Sequence, residues 1–379
     1  MKRRIISLFA AVVSALVPFR ATLAGTIEDA AAAYRRGDYT TASRLLRSLA
    51  DNGNATAQAS LGMMYADGEG VSQDYSQAVV WLRKAAEQGE VLAQANLGMM
   101  YAKGQGVPQD YSQGIVWLRK AAEQGDARAQ ETVGTMYMFG HGVPQDYSQA
   151  AVWFLKAAEQ GNVLAQTKLG GMYAHGQGVL KDDAQAFVWL HKAAEQGDAF
   201  AQGNLGMMYA TGQGVPKDDA QAFIWYRRAA EQGDARAQTN LGTMYANGQG
   251  VLKDDAQAFV WYRRAAEQGD ALAQTKLGNF YADGRGVPQD YAQARIWSLK
   301  AAEQGDARAQ SLLGFIYFQG WGVQQDYVRA SMWLSLAAEQ GYEIAKKARD
   351  FVAAKMTPAQ IAEAHQMARE WMQNHPPTR

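Results

Sequence analysis

Apolar residues recur along this chain at helical spacing, in short stretches separated by glycine-rich polar turns. Residues 126–161 show one such unit. Ala129, Val133, Met136 and Tyr137 fall at i, i+4, i+7 and i+8, which is one face of a helix. Asp126 precedes them and suits an N-cap, because its carboxylate accepts from the free N–H groups of a first turn. Gly140, His141, Gly142, Val143 and Pro144 end that helix. Proline cannot continue it, and glycine adopts the positive φ of a tight reversal. Asp146 then caps a second helix, with Ala150, Trp153 and Ala157 on its inner face and Gly161 closing it. Gly134 sits beside the first apolar face, where a missing side chain lets a neighbouring helix come close.

The unit repeats. Eight tryptophans run from Trp81 to Trp333 in steps of 36 residues, and Tyr65 to Tyr317, Gly62 to Gly314 and Gly89 to Gly341 keep the same step. The pattern predicts eight helix–turn–helix repeats over 54–341, with no strand. The fold class is all-α: a solenoid in which each unit buries its apolar stripe against its neighbours. The tryptophan and tyrosine ladders read as its core. Residues 25–53 read as an N-terminal capping pair of helices, and 342–379 as closing helices and a tail. In the latter, Thr357, Pro358 and Gln360 have the order of a capping box with proline at the first helical position.

Charge adds an exclusion. Lys+Arg and Asp+Glu are both 37, so no net field draws the chain to nucleic acid or an anionic surface. With no cysteine, disulfides, thiolate metal sites and cysteine nucleophiles are excluded. The N-terminus reads as a secretory leader at 1–24. Lys2, Arg3 and Arg4 precede an apolar run at 5–17, and Thr22, Leu23 and Ala24 offer a cleavage site after Ala24. The run is too short to span a bilayer, and Pro18 and Arg20 interrupt it. The mature chain is expected in the periplasm or outside the cell, not as an integral membrane protein.

In the first repeat the recurring motif runs through Ala57, Leu61, Gly62, Tyr65, Trp81, Ala85, Ala86 and Gly89. It resembles the Sel-1-like repeat, a relative of the tetratricopeptide repeat, and the likeness covers about three quarters of the chain. The segment around Met356, Thr357, Pro358 and Trp371 resembles the closing segment of bacterial members. The resemblance implies a right-handed α/α superhelix whose first helices line the concave side, and an adaptor function. Some exported members carry a disulfide in each repeat, and a few are linked to β-lactam binding or hydrolysis. This chain departs from them in having no cysteine, and the family shares no catalytic motif to transfer.

Positions that stay constant between repeats hold the stack, so those that vary on a shared face are candidate readers of a ligand. In the first repeat that face is Thr56, Ser60, Met63 and Asp67. Its counterparts further along include Leu92, Asn96 and Met99, then Arg128, Thr132 and Phe139, then Lys168. They continue with Phe200, Asn204 and Met207, then Arg236 and Asn240, then Lys276, and end with Arg308 and Phe315. Mixed arginine, methionine, phenylalanine and asparagine suit a protein or peptide partner, with a cell-wall component as the alternative. Trp321, in a turn, is a candidate glycan contact.

Catalytic chemistry finds no support. There is no phosphate loop, no dinucleotide fingerprint after a strand, and no serine nucleophile motif. His141 and His175 lie in turns one repeat apart, too few ligands for zinc. The pairs Asp182–Asp183, Asp218–Asp219 and Asp254–Asp255 are read as helix caps. No cofactor or metal is expected. The reading is a non-enzymatic scaffold acting as a monomer, with peptidoglycan or β-lactam chemistry as the alternative.

Overall fold

The computed structural model describes residues 24–375 of the 379. The expected leader, apart from Ala24, lies outside the described residues, as does most of the C-terminal tail. The described residues form twenty helices and no strand, in two compact units that meet in sequence at Trp189 and Leu190. No helix among them is long and apolar enough to cross a membrane.

The first unit opens with α1 (Ala24–Arg35) and α2 (Tyr39–Asp51), the expected leading pair. Helical hairpins follow: α3 (Ala55–Asp67) with α4 (Tyr75–Glu87), α5 (Val91–Lys103) with α6 (Tyr111–Glu123), and α7 (Ala127–Phe139) with α8 (Tyr147–Glu159). Then come α9 (Val163–His175) and α10 (Asp183–Glu195), the helix in which the two units divide. The second unit continues with α11 (Ala199–Thr211) and α12 (Asp219–Glu231), α13 (Ala235–Asn247) and α14 (Asp255–Glu267), and α15 (Ala271–Asp283) and α16 (Tyr291–Glu303). It ends with α17 (Ala307–Gln319), α18 (Tyr327–Glu339), α19 (Glu343–Ala353) and α20 (Pro358–Asn374).

The caps form where the sequence places them. Asp126 Oδ1 accepts from Ala129 N at 2.6 Å, and Asp146 Oδ1 from Gln149 N at 3.0 Å. Gly140 ends α7 in the left-handed region at φ 72°. Thr357 and Gln360 complete their capping box. Gly134 permits the close approach: a Cβ there would lie 2.7 Å from the Phe154 ring of α8. Trp81, Trp153, Trp189, Trp225, Trp261 and Trp333 are buried, whereas Trp117 and Trp297 are half-buried. Where a lysine or arginine follows one turn on, it lies over the ring, with Lys120 Nζ 4.1 Å from the Trp117 centroid and Lys300 Nζ 4.3 Å from Trp297.

A second ladder runs through the core. Each repeat's first helix carries a buried glutamine, and its second helix ends at an exposed one. Gln238 Nε2 donates to Ala230 O at 3.1 Å, and Gln268 Nε2 donates to Gln238 Oε1 at 2.8 Å. Gln130 does the same with Ala122 O and Gln160 in the first unit. Buried amides left unbonded are destabilising, so these links fix the register of successive hairpins as well as satisfying their own polar atoms.

Candidate functional site

From the second repeat onward, every side chain proposed for the first-helix face is at least partly open to solvent, but they are not equally free. Arg128, Phe139, Phe200, Met207, Arg236 and Arg308 are exposed. Phe139 and Phe200 keep 59% and 56% of their surface in water, as does Leu164 with 57%. The other candidates, Leu92, Asn96, Met99, Thr132, Lys168, Asn204, Asn240, Lys276 and Phe315, are half-buried.

Several of these have partners within the stack. Met99 packs against the core around Ile115 and Val133, and Ser60 of the first register is buried outright. Thr132 Oγ1 donates to Arg128 O, and Asn96 Nδ2 to Leu92 O. Lys168 Nζ bridges from α9 to Glu131 Oε1 and Thr135 Oγ1 of α7, both at 2.6 Å. Adjacent first helices therefore touch along this face, which explains why sequence spacing overstated its openness. Arg308 Nη2 lies 3.5 Å from Asp306 Oδ2.

In the second unit the face dips between α11 and α13. Phe200, Asn204, Met207, Arg236 and Asn240 converge there with Tyr226, Asp234, Gly203 and Ala237 around a depression of about 40 Å³. Five of these nine are candidates from the sequence; Gly203, Tyr226, Asp234 and Ala237 were not. Small-molecule sites run to about 300–1,000 Å³, so this one has room for the tip of a single side chain. Asp234 caps α13 through Ala237 N at 2.7 Å. Burial pushes the Tyr226 hydroxyl up to about 12, with Arg236 pulling slightly the other way, so it is a neutral donor at physiological pH.

The remaining expectations resolve locally. His141 stacks on Tyr111 with centroids 4.9 Å apart, and His175 Nδ1 lies 2.8 Å from Gly171 O at the end of its helix. Asp182 caps α10 through Gln185 N, and Asp218 and Asp254 cap α12 and α14. Their second carboxylates are paired: Asp219 with Lys217, and Asp255 with Arg285 at 2.6 Å, a contact that holds the Asp255 carboxyl below the usual range. Trp321 lies flat against Tyr291 at 4.9 Å. Among the described residues no three metal-ligating side chains gather.

One feature of the surface escaped the sequence reading. Val80, Val116, Val152 and Val188 stand exposed on the second helices of the first unit, one per repeat. Their 36-residue spacing was visible, but the constancy that marks core positions hid the fact that they face water.

Eight consecutive matches to the Sel1 repeat family cover residues 55–90, 91–126, 127–162, 163–198, 199–234, 235–270, 271–306 and 307–342. Among solved structures, a protective antigen present in uropathogenic Escherichia coli strains, with an SLR fold, is similar over 98% of this chain and 95% of its own. Its identity is 34% and its TM-score 0.55. A Sel1 repeat protein from Oxalobacter formigenes is similar over 81% of this chain and 93% of its own, at 36% identity and a TM-score of 0.60. No curated protein matches the chain.

Proposed function

The chain belongs to the Sel1 repeat family, whose members are generally protein-interaction scaffolds, and from that premise we propose that it is an exported, non-enzymatic scaffold holding a protein or peptide along its first-helix face. One observation carries the reading. Within a stack whose core positions repeat almost unchanged, Phe139, Leu164, Phe200 and Met207 vary at shared registers and stay uncovered. Large apolar side chains left in water at equivalent positions mark a surface that meets a partner. Export is supported by the basic and apolar order of the first residues and by the likeness to a protective antigen over nearly both full chains.

The test is affinity capture by the chain from Gly25 onward, using an extract of the producing cell's envelope and mass spectrometry of what is retained. A variant combining Arg128→Ala, Phe139→Ala, Phe200→Ala and Met207→Ala should keep its helical circular dichroism and lose the retained protein. Equal capture by the variant would place the binding surface elsewhere.

A further inference from the structure

We propose that the depression between α11 and α13 is a socket for one carboxamide of the partner, an asparagine or glutamine side chain. The inference rests on the scaffold reading above and names the chemistry that one part of it selects.

Gly203 opens the socket. A glycine inside a helix weakens it, so its presence calls for a reason. Gly206, one turn on, has one: a Cβ there would lie 2.6 Å from the Tyr226 ring. Gly203 has none in the packing, because a Cβ would meet nothing nearer than Asp234 Oδ1 at 3.9 Å. At the same register the neighbouring repeat carries Thr239, whose hydroxyl reaches Asp270 Oδ1 at 3.1 Å. The glycine removes that hydroxyl and leaves the corresponding carboxylate, Asp234, facing open space.

A second, independent vacancy lies beside it. Tyr262 of the next repeat donates to Thr243 Oγ1 at 3.1 Å. The residue equivalent to Thr243 is Met207, which offers the equivalent tyrosine, Tyr226, no oxygen. Tyr226 is 5% exposed, and among the described residues its hydroxyl has no hydrogen-bond partner. Asn240, on the same wall, is likewise unbonded, whereas Asn204 already donates to Phe200 O at 2.8 Å. The socket thus holds unused donors, the Tyr226 hydroxyl and the Asn240 amide, and spare acceptor capacity on the oxygens of Asn204 and of Asp234, whose Oδ1 already takes one bond from Ala237 N.

That mixture selects the occupant. Asp234 and Arg236 both line the site, so charge alone selects neither ion; but a carboxylate has no N–H to give Asp234 or Asn204, and an ammonium has no acceptor for Tyr226 or Asn240. A primary amide has both. Its N–H groups donate to Asp234 or Asn204, and its carbonyl accepts from Tyr226 or Asn240. Phe200 and Met207 at the rim cover the methylene stem. Buried polar groups made for a donor and an acceptor reject a ligand that lacks either.

The test uses the full chain labelled with methyl-13C methionine and three probes: N-acetyl-glutamine N-methylamide and its glutamate and lysine counterparts. The Met207 methyl signal should shift saturably with the glutamine probe, at least about tenfold more tightly than with either charged probe. Gly203→Thr should abolish that shift while leaving the other methionine signals and the circular dichroism unchanged. Equal or tighter binding of a charged probe, no saturable shift with glutamine, or full binding by Gly203→Thr would each overturn the socket. The two readings fail separately. Partner capture without probe binding removes the socket and keeps the scaffold; probe binding without partner capture does the reverse.

Discussion

The fifth and sixth repeats, 199–234 and 235–270, share their helices, caps and core and differ at six positions, two of which decide whether the polar groups of this face are satisfied. In the sixth, Thr239 meets Asp270 and Thr243 meets Tyr262, so the polar groups satisfy one another. In the fifth, Gly203 and Met207 stand at those positions, and Asp234 and Tyr226 are left facing a depression. A solenoid tolerates such local change because each repeat leans only on its neighbours. Recognition is therefore written in departures from the repeat, while stability is written in what repeats.

The most drastic way to break the comparison is to remove what both repeats share. Trp261 is buried in one cluster with Tyr226 and Leu241, so Trp261→Ala should lower stability by about 3–5 kcal/mol in urea denaturation. Gln238→Ala cuts the buried ladder, removing one of the bonds to Ala230 O and the side-chain acceptor of Gln268. We expect a loss of about 1–3 kcal/mol by the same measurement. The pair Tyr262→Phe and Tyr226→Phe sharpens the contrast directly. The first deletes a hydrogen bond and should cost about 1 kcal/mol. The second deletes a hydroxyl with no protein partner and should change stability by less than about 0.5 kcal/mol.

The smallest effects concern titration and the glycine. Burial raises Tyr226 from 10.0 to about 12, so the folded chain holds this proton after the unfolded chain has begun to release it. Its contribution is whole below pH 10.0 and is lost as pH rises through about 12. Urea midpoints across that window should therefore fall less steeply in Tyr226→Phe than in the parent chain. Gly203→Thr copies the sixth repeat into the fifth and should stabilise by a few tenths of a kcal/mol, up to about 0.5, through helix propensity.

Much of the fold was legible because the physics that builds it is periodic. The tryptophan step, the aspartate caps, the close approach at Gly134 and the capping box at Thr357 each follow from a residue type at a fixed offset. The glutamine ladder was equally constant, yet nothing local shows that Gln238 is buried: its partners come from the preceding hairpin and from the end of the next helix. The candidate face was legible as a stripe but not in its details. Lys168 reaches across to Glu131, and Ser60 is buried, because adjacent first helices touch. Tyr226 was out of reach for a similar reason. Its counterparts Leu82, Leu118, Phe154 and Leu190 are apolar, so its register passes as core, and only the loss of a hydroxyl at Met207 leaves it without a bond.

The central claim is that the first-helix face meets the partner, and hydroxyl-radical footprinting of the chain with and without its captured partner tests it most directly. The account predicts protection of Phe139, Leu164, Phe200 and Met207, with Val80, Val116 and Val152 reacting as in the free chain. Protection of those second-helix valines with the four first-helix residues unchanged would contradict it.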